Sequence, residues 1–116
     1  IAPEGPTNVW SLAIDGTITE ETITPEESFG LKSHPLTAVS GGDPTDNAAP
    51  MRALLGDKLP HDHPVLNFVL LNSAALLFVS GKVATLPEGV EAARESIRSG
   101  KALDALERFA AATQAV

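Results

Sequence analysis

The chain has no cysteine and no tyrosine, and one tryptophan and one methionine among its 116 residues. Without cysteine there is no disulfide framework, no thiolate metal site and no thiol nucleophile, and redox chemistry says nothing about compartment. Positive charge is scarce: eight Lys and Arg stand against fifteen Asp and Glu, a formal net of −7. That balance is the reverse of a nucleic-acid footprint and excludes DNA or RNA as an expected partner. A secretory leader is not visible either, since Ile1-Ala2-Pro3-Glu4 has neither a basic segment nor an apolar one. With no methionine before it, Ile1 is expected to be a cut end. The longest apolar run, Val65 to Ser80, is broken by Asn67, Asn72 and Ser73 and flanked by Asp62 and Lys82. It reads as a buried helix rather than a membrane span.

What is present is 43% hydrophobic, and at this length it has the size of one ordinary domain. The charge is uneven, with nine acids and three bases in residues 1 to 60 and six acids and five bases in the remainder. Most of the early acids have local structural work. Asn8 to Ile14 alternates, placing Trp10, Leu12 and Ile14 on one face and Val9, Ser11 and Ala13 on the other. Asp15-Gly16 follows and predicts a type I′ turn into the β-branched run Thr17 to Thr24, hence a β-hairpin. A lone hairpin is marginal in water, so this one is expected at the edge of something larger.

Thr24-Pro25-Glu26-Glu27 carries the signature of a capped helical turn that Gly30 stops, and Leu31 to Gly42 reads as a loop. Asp43-Pro44-Thr45-Asp46 opens the next helix with acids in its first turn, and Ala48, Met51 and Leu55 are expected on its buried side. Pro50 predicts a kink or a later start, because an interior proline forfeits a backbone hydrogen bond. Gly56 to His63 is a polar connector. Pro64 to about Ser80 forms a helix apolar on nearly every face, which must be surrounded by protein, with Gly81 ending it. Thr85-Leu86-Pro87-Glu88 is a second capping box; it opens a helix with Leu86, Val90, Ala93 and Ile97 in one stripe, stopped by Gly100. The last helix, Ala102 to about Ala112, is expected to bury Leu103, Leu106 and Phe109 or Ala110.

Four groups invite a chemical reading. His61-Asp62-His63 has metal-ligand types, but it lies in a polar connector with no further His or Cys to complete four ligands, so a solvated linker is favoured. Ser40-Gly41-Gly42-Asp43 resembles a phosphate-binding helix entry, yet Asp43 and Asp46 would repel a phosphate and already satisfy the free N–H groups. Glu20, Glu21, Glu26 and Glu27 are carboxylates on a hairpin and a capped turn, where solvation rather than acid–base work is expected. Asn72 and Ser73 are polar within the apolar helix; a ligand pocket is possible in principle, and a bond to a neighbouring backbone carbonyl is favoured. Composition and spacing alone thus give a well-punctuated fold and no constellation that runs a reaction.

Several segments taken in order carry more. They are Ile1-Ala2-Pro3-Glu4-Gly5-Pro6-Thr7, Ile23-Thr24-Pro25-Glu26-Glu27 with Phe29-Gly30-Leu31, and Gly41-Gly42-Asp43 with Asp46-Asn47-Ala48. Leu70-Leu71-Asn72-Ser73-Ala74-Ala75-Leu76-Leu77 then runs into Val79-Ser80-Gly81-Lys82, followed by Glu88-Gly89-Val90-Glu91-Ala92-Ala93 and Ser99-Gly100-Lys101-Ala102-Leu103. In order and spacing, across nearly the whole chain, these resemble the C-terminal part of the anthranilate phosphoribosyltransferase family. The resemblance implies transfer of phosphoribosyl from phosphoribosyl pyrophosphate to anthranilate in tryptophan biosynthesis, with magnesium neutralising the departing pyrophosphate. It also implies a cytoplasmic enzyme that is usually a homodimer.

The departures matter as much. The family's glycine-rich pyrophosphate loop, its Lys-His-Gly-Asn-Arg type segment and its anthranilate-binding residues would all lie upstream of this chain, and its metal-binding Asp-Glu pair would fall just before Ile1. No catalytic, substrate-binding or metal residue therefore carries over, and only Ile1, Ala2 and Pro3 would sit near the site. No cofactor is expected in this chain alone, and its partner is the upstream part of the same enzyme. The expected fold is α+β as an isolated piece, a hairpin followed by about four helices. Within the family it is part of a larger α/β domain of the nucleoside phosphorylase/phosphoribosyltransferase type, whose mostly parallel sheet the hairpin extends. Residues 1–116 would be the C-terminal portion of that domain: 1–24 the hairpin edge, 25–42 the helical turn and loop, 43–116 the helices. Pro50 is a departure, since the family continues a regular helix there. The alternative is a non-catalytic binding or assembly module that retains this fold. Either way, an uncovered apolar patch and self-association are expected.

Overall fold

The computed structural model describes residues 1–114. β1 (Thr7–Leu12) and β2 (Ile18–Ile23) pair antiparallel as a two-stranded sheet with Thr7 opposite Ile23 and Leu12 opposite Ile18. The register confirms the alternation but not the turn. Gly16 N–H donates to the Ala13 carbonyl at 3.0 Å, Ala13 N–H donates to the Thr17 carbonyl at 2.8 Å, and Gly16 alone in the turn has positive φ, at 87°. This is a three-residue connection, a type I turn followed by a left-handed glycine, instead of a type I′ turn. Asp15 need not adopt positive φ because its carboxylate accepts from the Thr17 N–H at 2.9 Å, locking a local Asx turn.

That bond, chiefly from the Thr17 backbone and then from its hydroxyl, holds the Asp15 carboxyl below the ordinary aspartate value. A depressed native pKa adds stability above the unfolded value, and the contribution is lost as pH falls through the native one. An NMR titration of Asp15 is therefore expected to give a midpoint below about 3.9, and Asp15→Asn to remove that part of the acid dependence. A midpoint at or above the ordinary value would contradict the turn as described.

Thr24 caps α1 (Pro25–Phe29): its hydroxyl accepts from the Glu27 N–H at 3.3 Å, and Gly30 ends the helix at φ 68°. The return bond of the capping box comes from Ser28, whose hydroxyl accepts from the Thr24 N–H, in place of Glu27. The following loop is extended except for one 3₁₀ turn at Leu36–Val39. α2 (Pro44–Leu55) begins at the Asp43 cap and continues through Pro50, so the later start expected from that proline does not occur. Pro50 removes the N–H that would bond to the Asp46 carbonyl, and both residues are exposed, where water can satisfy the oxygen. The expected buried stripe is also corrected. Ala48 and Met51 are exposed, Leu55 is half-buried, and Leu54 is the fully buried residue. The helix meets α4 and α5 near its C-terminal end, so position along the axis outweighs the stripe.

α3 (Pro64–Val79), α4 (Leu86–Arg98) and α5 (Lys101–Gln114) follow. Thr85 caps α4 as expected, accepting from the Glu88 N–H, and Val90, Ala93 and Ile97 are buried. α3 and α4 form the main helical contact. Their close approach depends on Gly89: a Cβ there would lie 2.8 Å from both Cα and O of Ala74. The core consists of eleven apolar side chains among the described residues, centred on Phe29, Leu54, Leu70 and Leu71. The hairpin joins it only along the Ile23 and Val9 face. A radius of gyration of 15.7 Å exceeds the ~13 Å of a compact domain of this length.

Two expectations of burial fail in the same way. α3 was expected to be surrounded, but Leu76 is 73% and Val79 84% exposed at its C-terminal end. In α5, Phe109 and Ala110 are exposed while Ala102, Leu103 and Leu106 are only half-buried. α5 packs through its first turns, and no described element lies against the rest. Among the described residues, no helix is long and apolar enough to cross a membrane.

Candidate functional site

The four chemically suggestive groups take structural roles. His61 Nδ1 lies 3.0 Å from the Asp62 carboxylate on an exposed loop. His63 turns away from that pair to cap α3, its Nδ1 accepting from the Val65 N–H at 3.3 Å. His34 is drawn elsewhere, to Asn67. No three His, Cys, Asp or Glu side chains among the described residues come together as a metal cluster.

The glycine loop before α2 is closed on itself. Asp43 Oδ1 accepts from the Asp46 N–H at 2.9 Å, and the Asn47 carboxamide accepts from the Gly42 N–H at 3.0 Å and donates to the Gly42 carbonyl at 2.8 Å. A Cβ at Gly42 would lie 2.8 Å from the Asp46 carboxylate, so a larger residue there would displace that exposed side chain. Asp43 and Asp46 put two carboxylates at this mouth, which disfavours a phosphate. Glu20 and Glu21 stand exposed opposite Trp10 and Val9, and Glu26 accepts from the Ser33 N–H at 3.4 Å. Glu26 and Glu27 both line a shallow groove of about 280 Å³ shared with Thr24, Pro25 and Ser33.

The N-terminal segment is where the structure converges. Asn72 Oδ1 accepts from the Ile1 nitrogen at 2.9 Å, and its Nδ2 donates to the carbonyls of Ile1 at 3.1 Å and of Phe68 at 3.0 Å. The favoured expectation for Asn72, bonding to backbone carbonyls, is met. One of the two carbonyls lies 71 residues away. Ser73 instead faces an apolar groove of about 390 Å³ between α3 and α4, lined also by Leu76, Ala93 and Ile97. Pro3 is buried, and its carbonyl accepts from the His34 N–H at 2.9 Å and the Ser33 hydroxyl at 3.3 Å. Glu4 accepts from the Leu36 N–H at 3.0 Å. Ile1, Ala2 and Pro3 are thus held between α3 and the loop after α1.

Sequence reasoning missed Asn67, the one buried polar side chain among the described residues, at 2% exposed. Its Nδ2 donates to the Lys32 carbonyl at 3.4 Å and approaches His34 Nε2 at 3.2 Å, so it ties the same loop to α3. Asn67 and Asn72 are five residues apart, about 140° around a helix, which is why they hold different segments. An amide early in an otherwise apolar helix was the available signal.

Residues 1–103 match the glycosyl transferase family, a/b domain. The anthranilate phosphoribosyltransferase of Schizosaccharomyces pombe is 50% identical over 114 residues, which are 98% of this chain and 32% of that protein. The anthranilate phosphoribosyltransferase of Deinococcus radiodurans is 41% identical over 111 residues, 95% of this chain and 31% of that protein. Among solved structures, the Saccharomyces cerevisiae anthranilate phosphoribosyltransferase in complex with PRPP and Mg superimposes with a TM-score of 0.87 at 30% identity. It covers 99% of this chain and 32% of its own. The chain spans about a third of the length of these relatives. In sequence and in fold, it belongs to the glycosyl transferase family through that α/β domain, and its relatives within the family are anthranilate phosphoribosyltransferases.

Proposed function

We propose that residues 1–116 are the C-terminal portion of the α/β domain of an anthranilate phosphoribosyltransferase. The whole enzyme transfers phosphoribosyl from phosphoribosyl pyrophosphate to anthranilate in the cytoplasm, as a step of tryptophan biosynthesis. The observation that carries this is likeness over almost all of this chain to only a third of an enzyme solved with PRPP and Mg. An identity of 50% over 98% of the chain does not favour a free-standing module that retained only the fold.

Within the enzyme this portion is structural. It builds the edge hairpin and the helical cover, and Ile1, Ala2 and Pro3 form the margin nearest the substrates. Magnesium does not fit this chain's own residues, since no acidic or histidine cluster is assembled among those described; its ligands belong upstream. The outward apolar face of the hairpin and the C-terminal end of α3 await protein from the rest of the enzyme, and the whole is a homodimer.

The test is a longer reading frame continuing upstream of Ile1, expressed and purified whole. It is expected to release pyrophosphate from phosphoribosyl pyrophosphate only when anthranilate is present. A whole protein that binds neither substrate would overturn the proposal.

A further inference from the structure

Asn67 is almost fully buried near the start of α3, and its hydrogen bonding is one-sided. Its amide nitrogen serves two acceptors, the Lys32 carbonyl at 3.4 Å and His34 Nε2 at 3.2 Å, while Oδ1 has no partner. A buried acceptor without a donor is costly, and most such groups in proteins are satisfied. The Lys32 carbonyl can only accept, so it is what turns the amide nitrogen toward the loop. His34 Nε2 must then accept as well, which places the proton of the neutral ring on Nδ1. Protonation of His34 inverts that requirement, because Nε2 becomes a donor and meets an amide group that also donates. A half-turn of the carboxamide gives Oδ1 the donor it lacks, in a charge-assisted bond, and withdraws the amide from the Lys32 carbonyl. Lys32 is exposed, so water can take up that oxygen. Either orientation leaves one end of the carboxamide unpartnered, which is what lets the charge on His34 decide between them.

We propose that Asn67 and His34 form a protonation-driven latch: with His34 neutral, Asn67 Nδ2 holds the Lys32 carbonyl against α3, and with His34 charged the carboxamide turns over and lets that carbonyl go. The latch bears on the N-terminal segment, because the same loop holds the Pro3 carbonyl through the His34 N–H and the Ser33 hydroxyl. Three charged side chains surround it. Glu4 of the N-terminal segment accepts from the Leu36 N–H, Glu26 of α1 accepts from the Ser33 N–H, and Lys32 belongs to the loop itself. The 3₁₀ turn at Leu36–Val39, which packs on α3, has no charged residue, and neither does α3 along Pro64–Val79. The remaining titratable group is His63, which caps the start of α3. Every part of the latch lies in this chain, so it stands apart from the proposed function.

The experiment uses the whole protein that carries this chain, isotopically labelled at histidine and asparagine nitrogen and followed by NMR from about pH 8 to about pH 5, the span across which histidine changes charge. At the upper end His34 is expected as the Nδ1–H tautomer, with Nε2 unprotonated. On acidification the Asn67 side-chain amide signals should move along the His34 titration curve. At about pH 5 the backbone amides of residues 33 and 34 should exchange about tenfold faster than in His34→Gln, the scale of one lost hydrogen bond. His34→Gln keeps an uncharged acceptor at every pH, and His63 is present in both proteins, so the difference belongs to His34. Should His34→Gln fail to fold, Asn67→Leu identifies the His34 signal by shifting it, and the tautomer in the wild type decides. Neutral His34 found as the Nε2–H tautomer would overturn the proposal. So would Asn67 amide signals that stay fixed while His34 takes up its proton, or equal exchange in the wild type and His34→Gln.

Discussion

Gly89→Ala is expected to lower the melting temperature of the chain by about 10 °C, corresponding to ~2 kcal/mol for a domain of this size. Helix propensity alone points the other way, since alanine in a helix interior is favoured over glycine by ~1 kcal/mol. What reverses the sign is the crossing of α3 and α4, where the new Cβ would meet Cα, O and Cβ of Ala74 at 2.8 to 2.9 Å. Two of those three atoms are backbone, so no rotamer change relieves the contact and the helices must separate. Separation opens the part of the core that contains Ala74, Val90 and Ala93, all buried. For the same reason Ala74→Gly should not rescue Gly89→Ala, because the Ala74 Cα and O remain in place. Thermal unfolding of the single and double variants checks this. A Gly89→Ala chain as stable as wild type would show that the two helices do not approach as described.

The isolated chain is expected to associate with itself, and Leu12→Lys to weaken that association by at least about tenfold. On the outer face of the hairpin Trp10 is 62%, Leu12 73% and Ile18 67% exposed, with Leu12 directly opposite Ile18. The end of α3 adds Leu76 and Val79. Apolar groups grouped in this way are covered by protein in a stable assembly, whereas scattered ones are not. Sedimentation of the wild type and Leu12→Lys, together with binding of a hydrophobic dye, reads the effect. A monodisperse wild-type monomer that binds no dye would contradict it. In the proposed whole enzyme Leu12→Lys is expected to act on stability instead, since the proposal sets that face against the rest of the domain.

Local punctuation was the most legible part of the sequence. Thr24, Asp43 and Thr85 cap α1, α2 and α4 as predicted, and Gly30, Gly81 and Gly100 take positive φ just after α1, α3 and α4. These signals act over three or four residues, so one sequence contains all that decides them. Burial was less legible because it depends on neighbours. Phe109 has the periodicity of a core residue but is 68% exposed, and Met51 lost its expected place to Leu54. Pro50 was misjudged for a related reason: its penalty is small where the orphaned carbonyl faces water. At the candidate site, His61 pairs with the adjacent Asp62, and Gly42 and Asp43 bond within the entry of α2. The link from Asn72 to Ile1, spanning 71 positions, leaves no trace in any local pattern.

On the proposed function, this chain contributes structure to a transferase whose reacting groups lie outside it. The measurement that tests it most directly is turnover by the purified 116-residue chain, given phosphoribosyl pyrophosphate, anthranilate and magnesium and compared with the whole protein under the same conditions. The account predicts transfer by the whole protein and none by the chain alone, with no magnesium-dependent binding of phosphoribosyl pyrophosphate to the chain. Detectable phosphoribosyl anthranilate formed by the isolated chain would contradict it.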